Sequence, residues 1–438
     1  MKRFRQPLKL LALGVVALVA IALLVNVVIT ARAKSRLERA IAALRDAGQP
    51  VALIDLAHKP PPPDENAATY LRRAKESLDA INAEIAAAYD NESEENQTAI
   101  DLDQPTPAYL KAIRSALDAY PKTLEIVNQA AACPSYDAQL DYSANTADFI
   151  EALTTQFQVN RAAIRLLSYL CTLQIADGQY DAAVDTGIAM LRLCRHFDTD
   201  PTILGVLVSI ACRGVTLAGV DMALRSGDLS DAARDRLDVE IKRADVVGVY
   251  KKSLESDRAF GLATLAEMAA GKHRETAGNL KFMWHTPAGF RQDQSGYLDY
   301  MALSIALVDR PHSEIKINPA IEQTLKSAGA LSEAIAPATQ AAHVAVCRAL
   351  IFLRSVQILN AIQRYEKQHP GQEPSVAQLG LPAAITTDPF NGEPLHVVKK
   401  PAGWLIYGVD MNLKDDGGNV TPPIVDCGFG PLPRVRHD

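Results

Sequence analysis

LLALGVVALVAIALLVNVVI, residues 10–29, is a run of twenty residues with no charge and a single polar side chain, Asn26. At about 1.5 Å per residue a helix of this length covers roughly 30 Å, the thickness of the hydrocarbon core of a bilayer. Lys2, Arg3, Arg5 and Lys9 precede the run, and Arg32, Lys34, Arg36 and Arg39 follow it. Two readings compete. Ala31-Arg32-Ala33 has the small-x-small form of a signal-peptide cleavage site, but the run is longer than a usual h-region. It also passes into a basic helical segment with no turn-forming residue between, so an uncleaved anchor is the better reading. Positive charge on both flanks leaves the positive-inside rule little to decide. A short head before a long soluble chain favours the head inside. The expectation is a single-pass protein of the inner (cytoplasmic) membrane, touching lipid through residues 10–29, with its bulk on the periplasmic side.

Beyond residue 30 the chain is soluble in character. Its 438 residues are 48% hydrophobic, ample for a buried core, and its net charge of −6 gives no electrostatic reason to expect a nucleic-acid partner. Runs rich in Ala and Leu with few aromatics point to helices. The six cysteines show no CxxC pair and no zinc spacing. Cys171, Cys194, Cys212 and Cys347 lie in apolar helical runs and read as small buried hydrophobes. Cys133 and Cys427 sit before turn residues and could pair in an oxidising compartment.

Four segments follow: a head, anchor and juxtamembrane helix (1–48), an extended Pro-rich spacer (49–63), an all-helical domain (64–336) and a C-terminal piece (337–438). The fold class is mainly α: an N-terminal transmembrane helix, a layered multi-helix body or bundle, and a small α+β end made of a long helix and a β-hairpin. Residues 35–47 carry Leu37, Ile41 and Leu44 at helical spacing, stopped by Gly48 and Pro50. Residues 51–56 read as extended, and Lys59-Pro60-Pro61-Pro62-Pro63 as a stiff polyproline spacer. Asp64 can cap a helix over 65–89. The acidic stretch 90–104 reads as a loop. Thr106 with Pro107 starts a helix running to about 132, and a long one covers 146–176. Asp177-Gly178-Gln179-Tyr180-Asp181 turns into a helix over 182–196. Asp200 opens the next, to about 225, and Ser230 with Asp231 caps another. Helix over 246–270 precedes an irregular middle, 271–295, and helices over 297–308 and 319–335 follow.

Residues 338–369 read as one helix with two apolar stripes: Leu350, Leu353, Val356 and Leu359 on one, Ile351, Ile358, Ile362 and Tyr365 on the other. Asp388-Pro389-Phe390-Asn391-Gly392 is a turn. Residues 395–398 and 404–409 form the hairpin, with Leu395, Trp404 and Ile406 expected to pack on the long helix. An oxygen-rich loop, 410–418, ends the pattern.

That ordered set resembles the globular end of type II secretion major pseudopilins. Its members are the helix ending at Tyr365 and Pro370-Gly371, the Asp388–Gly392 turn, Pro394-Leu395, Tyr407-Gly408-Val409 and Asp415-Asp416-Gly417-Gly418. The resemblance implies that the last loop binds calcium, with Asp410, Asn412, Asp415 and Asp416 as donors; a solvated acidic turn is the alternative, and Lys414 among the donors favours it. No prepilin leader is present, so the chain is not itself a pseudopilin. The layout as a whole resembles a group of uncharacterised bacterial single-span, membrane-anchored helical proteins, which implies architecture only.

No HExxH, GxSxG, P-loop or GxGxxG occurs. His196 beside Arg195 suits a helix C-terminus. His273 and His285 flank the irregular middle without acidic neighbours, and His343 lies on the long helix. Asp177, Asp181 and Asp185 read as turn and cap residues. No catalytic residue is assigned, and no cofactor beyond calcium is expected. The preferred function is a non-catalytic envelope scaffold or interaction module, with other envelope proteins as partners. The alternative is an enzyme whose site is assembled from sequence-distant residues of the helical domain.

Overall fold

The computed structural model describes residues 5–101, 103–200, 202–272, 286–420 and 425–432. In the first helix, side chains are described at Leu18, Ile21 and from Leu24 onward. The chain is mainly helical, with a small antiparallel sheet near its C-terminus.

α1 (Arg5–Asp46) is one unbroken helix of 42 residues, so the apolar run and the basic segment that follows it are continuous. Residues 51–56 are not extended. They hold a 3-10 turn, Leu53–Leu56, because an Asp55 carboxylate oxygen accepts the N–H groups of Val51 and Ala52. α2 (Ala67–Asp90) is capped by Asn66 rather than Asp64; the Asn66 side chain accepts from Ala68 N and exchanges two hydrogen bonds with the Asp137 backbone. The acidic stretch taken for a loop contains α3 (Glu94–Asp101), whose first turn carries Glu94 and Glu95, where acids suit the helix dipole.

α4 (Pro107–Ala119) starts at the expected cap, Thr106, which accepts from Tyr109 N. It does not run on to residue 132. Pro121 lacks an N–H, and the chain breaks at Tyr120 before α5 (Pro121–Ala132). α6 (Thr146–Ala176), α7 (Tyr180–Phe197), α8 (Ile203–Ser226), α9 (Asp231–Ile241) and α10 (Val246–Ala269) follow the periodicity closely. α11 (Pro287–Ala306) begins ten residues ahead of the expectation, with Pro287 at its first position and Thr286 accepting from Gly289 N. After α12 (His312–Lys316), the helix expected over 319–335 divides into α13 (Pro319–Ala328) and α14 (Ala330–Ile335). Gly329 at φ +106° separates them, in a conformation that side-chain-bearing residues rarely adopt. α15 (Thr339–Gln368) is the long helix, and α16 (Ala383–Thr386) a single turn.

β1 (His396–Lys400) and β2 (Gly403–Val409) form the expected hairpin, with Val397 opposite Ile406 and Lys399 opposite Trp404. The hairpin is not the whole sheet. β3 (Asp426–Phe429) pairs antiparallel with β2, in the order β1-β2-β3. At four residues containing Asp and Gly it carries almost no strand signature of its own.

The chain forms two compact units that interleave in sequence. One comprises the described residues up to 57, 254–306 and 319–337; the other 58–253, 307–318 and 338 onward. In the first, α11 packs on α1, with Arg36 paired to Asp299 at 2.5 Å. α13 crosses α11 at Gly296, where a Cβ would fall 2.3 Å from the Ala328 Cα, so glycine permits the approach.

In the second unit α15 lies between α8 and α9 on one side and the sheet on the other. Residues of both stripes contribute to a single core between these partners. Ile351, Leu353, Val356, Ile358, Leu359 and Ile362 are buried in one core with Leu217, Val220 and Leu237. Leu395, Trp404 and Ile406 join the same core, as their apolar character required, and burying them contributes roughly 5 kcal/mol. Trp404 Nε1 donates to Glu366, and Arg225 donates to the Trp404 carbonyl, so the sheet is also held by its polar edge. Among the described residues α8 and the stretch Ala330–Gln368 are long and apolar enough to cross a membrane, but both are more than half buried in the fold.

Candidate functional site

The four oxygen donors singled out for calcium have other partners. Asp410, buried just beyond β2, takes a forked pair from Arg348, with Nη2 at 2.7 Å and Nε at 3.0 Å. Asn412 donates to the Asp416 carboxylate at 2.6 Å. Asp415 accepts from Gly417 N and from the Tyr407 hydroxyl, and the Gly417 N–H holds its carboxyl below the usual range. Asp416 N and Gly418 N converge on Asp426, a buried carboxylate absent from the expected set. Among the described residues no group of three or more His, Cys, Asp or Glu side chains could hold a metal ion. Each of the four candidate donors thus has a protein partner: Arg348 brings positive charge to Asp410, and Asp426 ties the loop to the sheet.

A cavity lies in the second unit, against α15. It measures about 260 Å³. His343, Cys347, Leu350 and Arg354 reach it from one helix face, at the i, i+4, i+7, i+11 spacing that stacks side chains on a single stripe. Residues 308–311 and the turn 387–392 supply the opposite wall. That turn is built by Asp388, which accepts Phe390 N at 2.8 Å and Val409 N at 2.7 Å, while Phe390 is fully buried in the core. Burial pushes the Asp388 carboxyl up, and the two N–H groups oppose it.

Cys347 Sγ lies 3.5 Å from His343 Nδ1, a spacing that could signal a nucleophile and its base. The electrostatics say otherwise. Burial, and then Asp388, push the thiol far up; burial, and then His312 stacked at 5.7 Å, push His343 down to about 4. Both groups are neutral at pH 7, so the contact joins a thiol and a neutral imidazole, the thiol also lying 3.6 Å from the Pro389 carbonyl, and no thiolate is available. Arg354 donates Nη1–H to the Thr387 carbonyl at 2.5 Å, and burial pulls it down from the usual range.

Other singled-out residues have structural partners. His196 is buried, stacked on Tyr136 and pushed down to about 4 by burial, so it is not the cation expected at the end of α7. Arg195 takes that place and pairs with Glu240. Asp177 pairs with Arg114, Asp185 with Arg236, and Asp181 accepts from Ser230 N. These carboxylates tie helices together as well as shaping turns. His273 and His285 lie outside the described residues. Cys133 and Cys427 are both free thiols.

Two features of the second unit escaped the sequence reading. Asp198 receives Arg213 Nη2 at 2.6 Å and the Ser209 hydroxyl at 2.7 Å, and Arg213 is among the largest fully buried side chains. Two residues on, Asp200 is 6% exposed, with an oxygen that has no hydrogen-bond partner. The only available signal was the spacing of charged residues inside apolar runs, which does not name partners.

The chain matches no family model, no curated protein and no solved structure.

The neutral thiol predicts a labelling pattern. In the native protein at pH 8, iodoacetamide is expected to modify no cysteine but Cys133, since the other five are buried, and all six after denaturation. Peptide mapping reads the result. Fast modification of Cys347 in the native state would show a thiolate there and restore nucleophilic chemistry.

Proposed function

We propose that this protein is a single-pass envelope protein, anchored in the inner membrane by α1, whose soluble part is a non-catalytic scaffold or interaction module on the periplasmic side. One observation carries the reading. Within a continuous helix, Leu18, Ile21, Leu24, Val25, Val27, Val28 and Ile29 are 41–68% exposed. Seven exposed large apolar side chains within twelve residues of one helix are unfavourable in water and suit hydrocarbon. The two other sufficiently apolar stretches are spent in the core. Support for a binding rather than a chemical role comes from the neutral Cys347–His343 contact. It comes also from α8, where Leu204 and Val215 stand 43% and 44% exposed with Ala211 between them, an apolar face open to other envelope proteins. The order of α15, the Asp388 turn, the antiparallel strands and the Gly/Asp loop supports the likeness to pseudopilin ends.

Topology tests the proposal. Full-length protein is expected in the membrane fraction after carbonate washing, and a chain lacking residues 1–33 in the soluble fraction. A reporter active only in the cytoplasm, fused after Asp438, should stay dark. A bright fusion would invert the topology, and a soluble full-length protein would sink the anchor.

A further inference from the structure

We propose that the cavity against α15 binds a small monocarboxylate with an apolar body of about seven carbons, its carboxylate paired with Arg354. The proposal stands on the cavity alone and does not depend on membrane anchoring.

Arg354 is the starting point. A guanidinium presents five N–H donors and stays charged. Arg354, which lines the cavity, donates to the Thr387 carbonyl, and among the described residues it has no carboxylate within 4.0 Å. Other arginines withdrawn into this unit are provided for. Arg213, Arg225 and Arg348 meet carboxylates at 2.6, 2.7 and 2.7 Å, and Arg234 meets the amide oxygens of Asn360 and Gln363. Asp388 attracts the guanidinium from beyond 4.0 Å but makes no forked pair with it, so the charge is only partly compensated for leaving water, and an entering carboxylate would supply that pair.

The rest of the cavity narrows the ligand. Asp388 lies in the wall with its oxygens taken up by Phe390 N and Val409 N. With one guanidinium facing one carboxylate, a second negative charge on the ligand would be repelled, which disfavours a phosphate dianion. Asp309 and Arg310 stand at the exposed rim, and Arg310 leans toward Glu314 at 3.8 Å, so they add little net charge. Val308, Val346, Leu350 and Pro389 make the remaining surface apolar. For size, a cavity of about 150 Å³ holds benzene, or roughly 25 Å³ per heavy atom. The 260 Å³ here then takes about ten heavy atoms, a carboxylate and seven carbons.

Phenylacetate has that size and charge and partitions weakly into detergent. Isothermal titration of the full-length, detergent-solubilised protein is the test, with phenylacetamide, phenethylammonium and phenyl phosphate for comparison. Phenylacetate is expected to bind at least tenfold more tightly than the amide, and the ammonium not to saturate. Arg354→Gln should weaken phenylacetate at least tenfold and leave the amide unchanged. Leu350→Trp, which fills the cavity, should abolish both. Equal affinity for amide and carboxylate, tighter phenyl phosphate, undiminished binding in Leu350→Trp, or no saturation of the wild type at millimolar ligand would each overturn the proposal. If Arg354→Gln does not fold, the four ligands on the wild-type protein decide it.

Discussion

At pH 8.5 the Asp200→Asn variant is expected to be more stable than the wild-type protein by roughly 5 kcal/mol, the largest gain any single substitution should give here. Burial, with the neighbouring Asp198 charge second, raises the Asp200 carboxyl from 3.8 to about 8. The folded pKa lies above the unfolded one, so the folded protein holds a proton that the unfolded chain releases. The stabilising contribution of this group is complete below about pH 4 and is lost as pH rises through about 8. Across that window the wild type should lose about 1.4 kcal/mol per pH unit from this residue. Asn has the same shape, cannot ionise, and removes the slope. Urea unfolding at several pH values, with the wild type and variant compared at each, measures it. Curves that stay parallel from pH 5 to 8.5 would mean that Asp200 is ionised in the folded state, its unpartnered oxygen satisfied by water.

The opposite sign is expected two residues away. Asp198→Ala should cost about 3–5 kcal/mol, because it leaves the guanidinium of Arg213 buried without its carboxylate. Arg213 is 2% exposed, and its Nε already lacks a partner, so no alternative acceptor is at hand. The Ser209 hydroxyl loses one of its two acceptors and keeps the Cys194 carbonyl. Replacing both members, Asp198→Leu with Arg213→Met, should recover most of the loss, since the pair gains little over well-packed apolar groups of similar volume. Asp198→Ala should also lower the Asp200 pKa by removing a like charge, so its cost should shrink as pH rises past 7. The two sites are coupled, and the energies of Asp198→Ala and Asp200→Asn should not add. A single-substitution loss below about 1 kcal/mol would show that water reaches Arg213.

These two residues mark the boundary between what the sequence by itself determined and what only the tertiary structure decided. Local signals carried far. Apolar periodicity fixed the mainly helical class, and Thr106 and Ser230 announced caps that the structure uses. The two stripes on α15 foretold two partners, and Trp404, Ile406 and Leu395 foretold a hairpin lying on that helix. Each of these depends on residues within a few positions of one another, where backbone geometry sets the outcome. Missed local features were those with weak or ignored punctuation: Pro121 within a helical run, Gly329 within another, and the four-residue β3, whose strand state comes from the edge that β2 offers it.

Only the folded chain could bring together the groups that matter for chemistry. Arg348 reaches Asp410 across 62 positions, giving one of the four calcium candidates a cationic side-chain partner that no local spacing announced. The helix that carries His343 and Arg354 was legible in the sequence, but the face they share with Cys347 and Leu350 was not singled out. Its far wall comes from residues 308–311 and 387–392, segments whose meeting no spacing rule encodes. Burial then set the protonation of Cys347, His343 and Asp200, because the cost of a charge depends on how much water surrounds it, and that is a property of the packed structure alone.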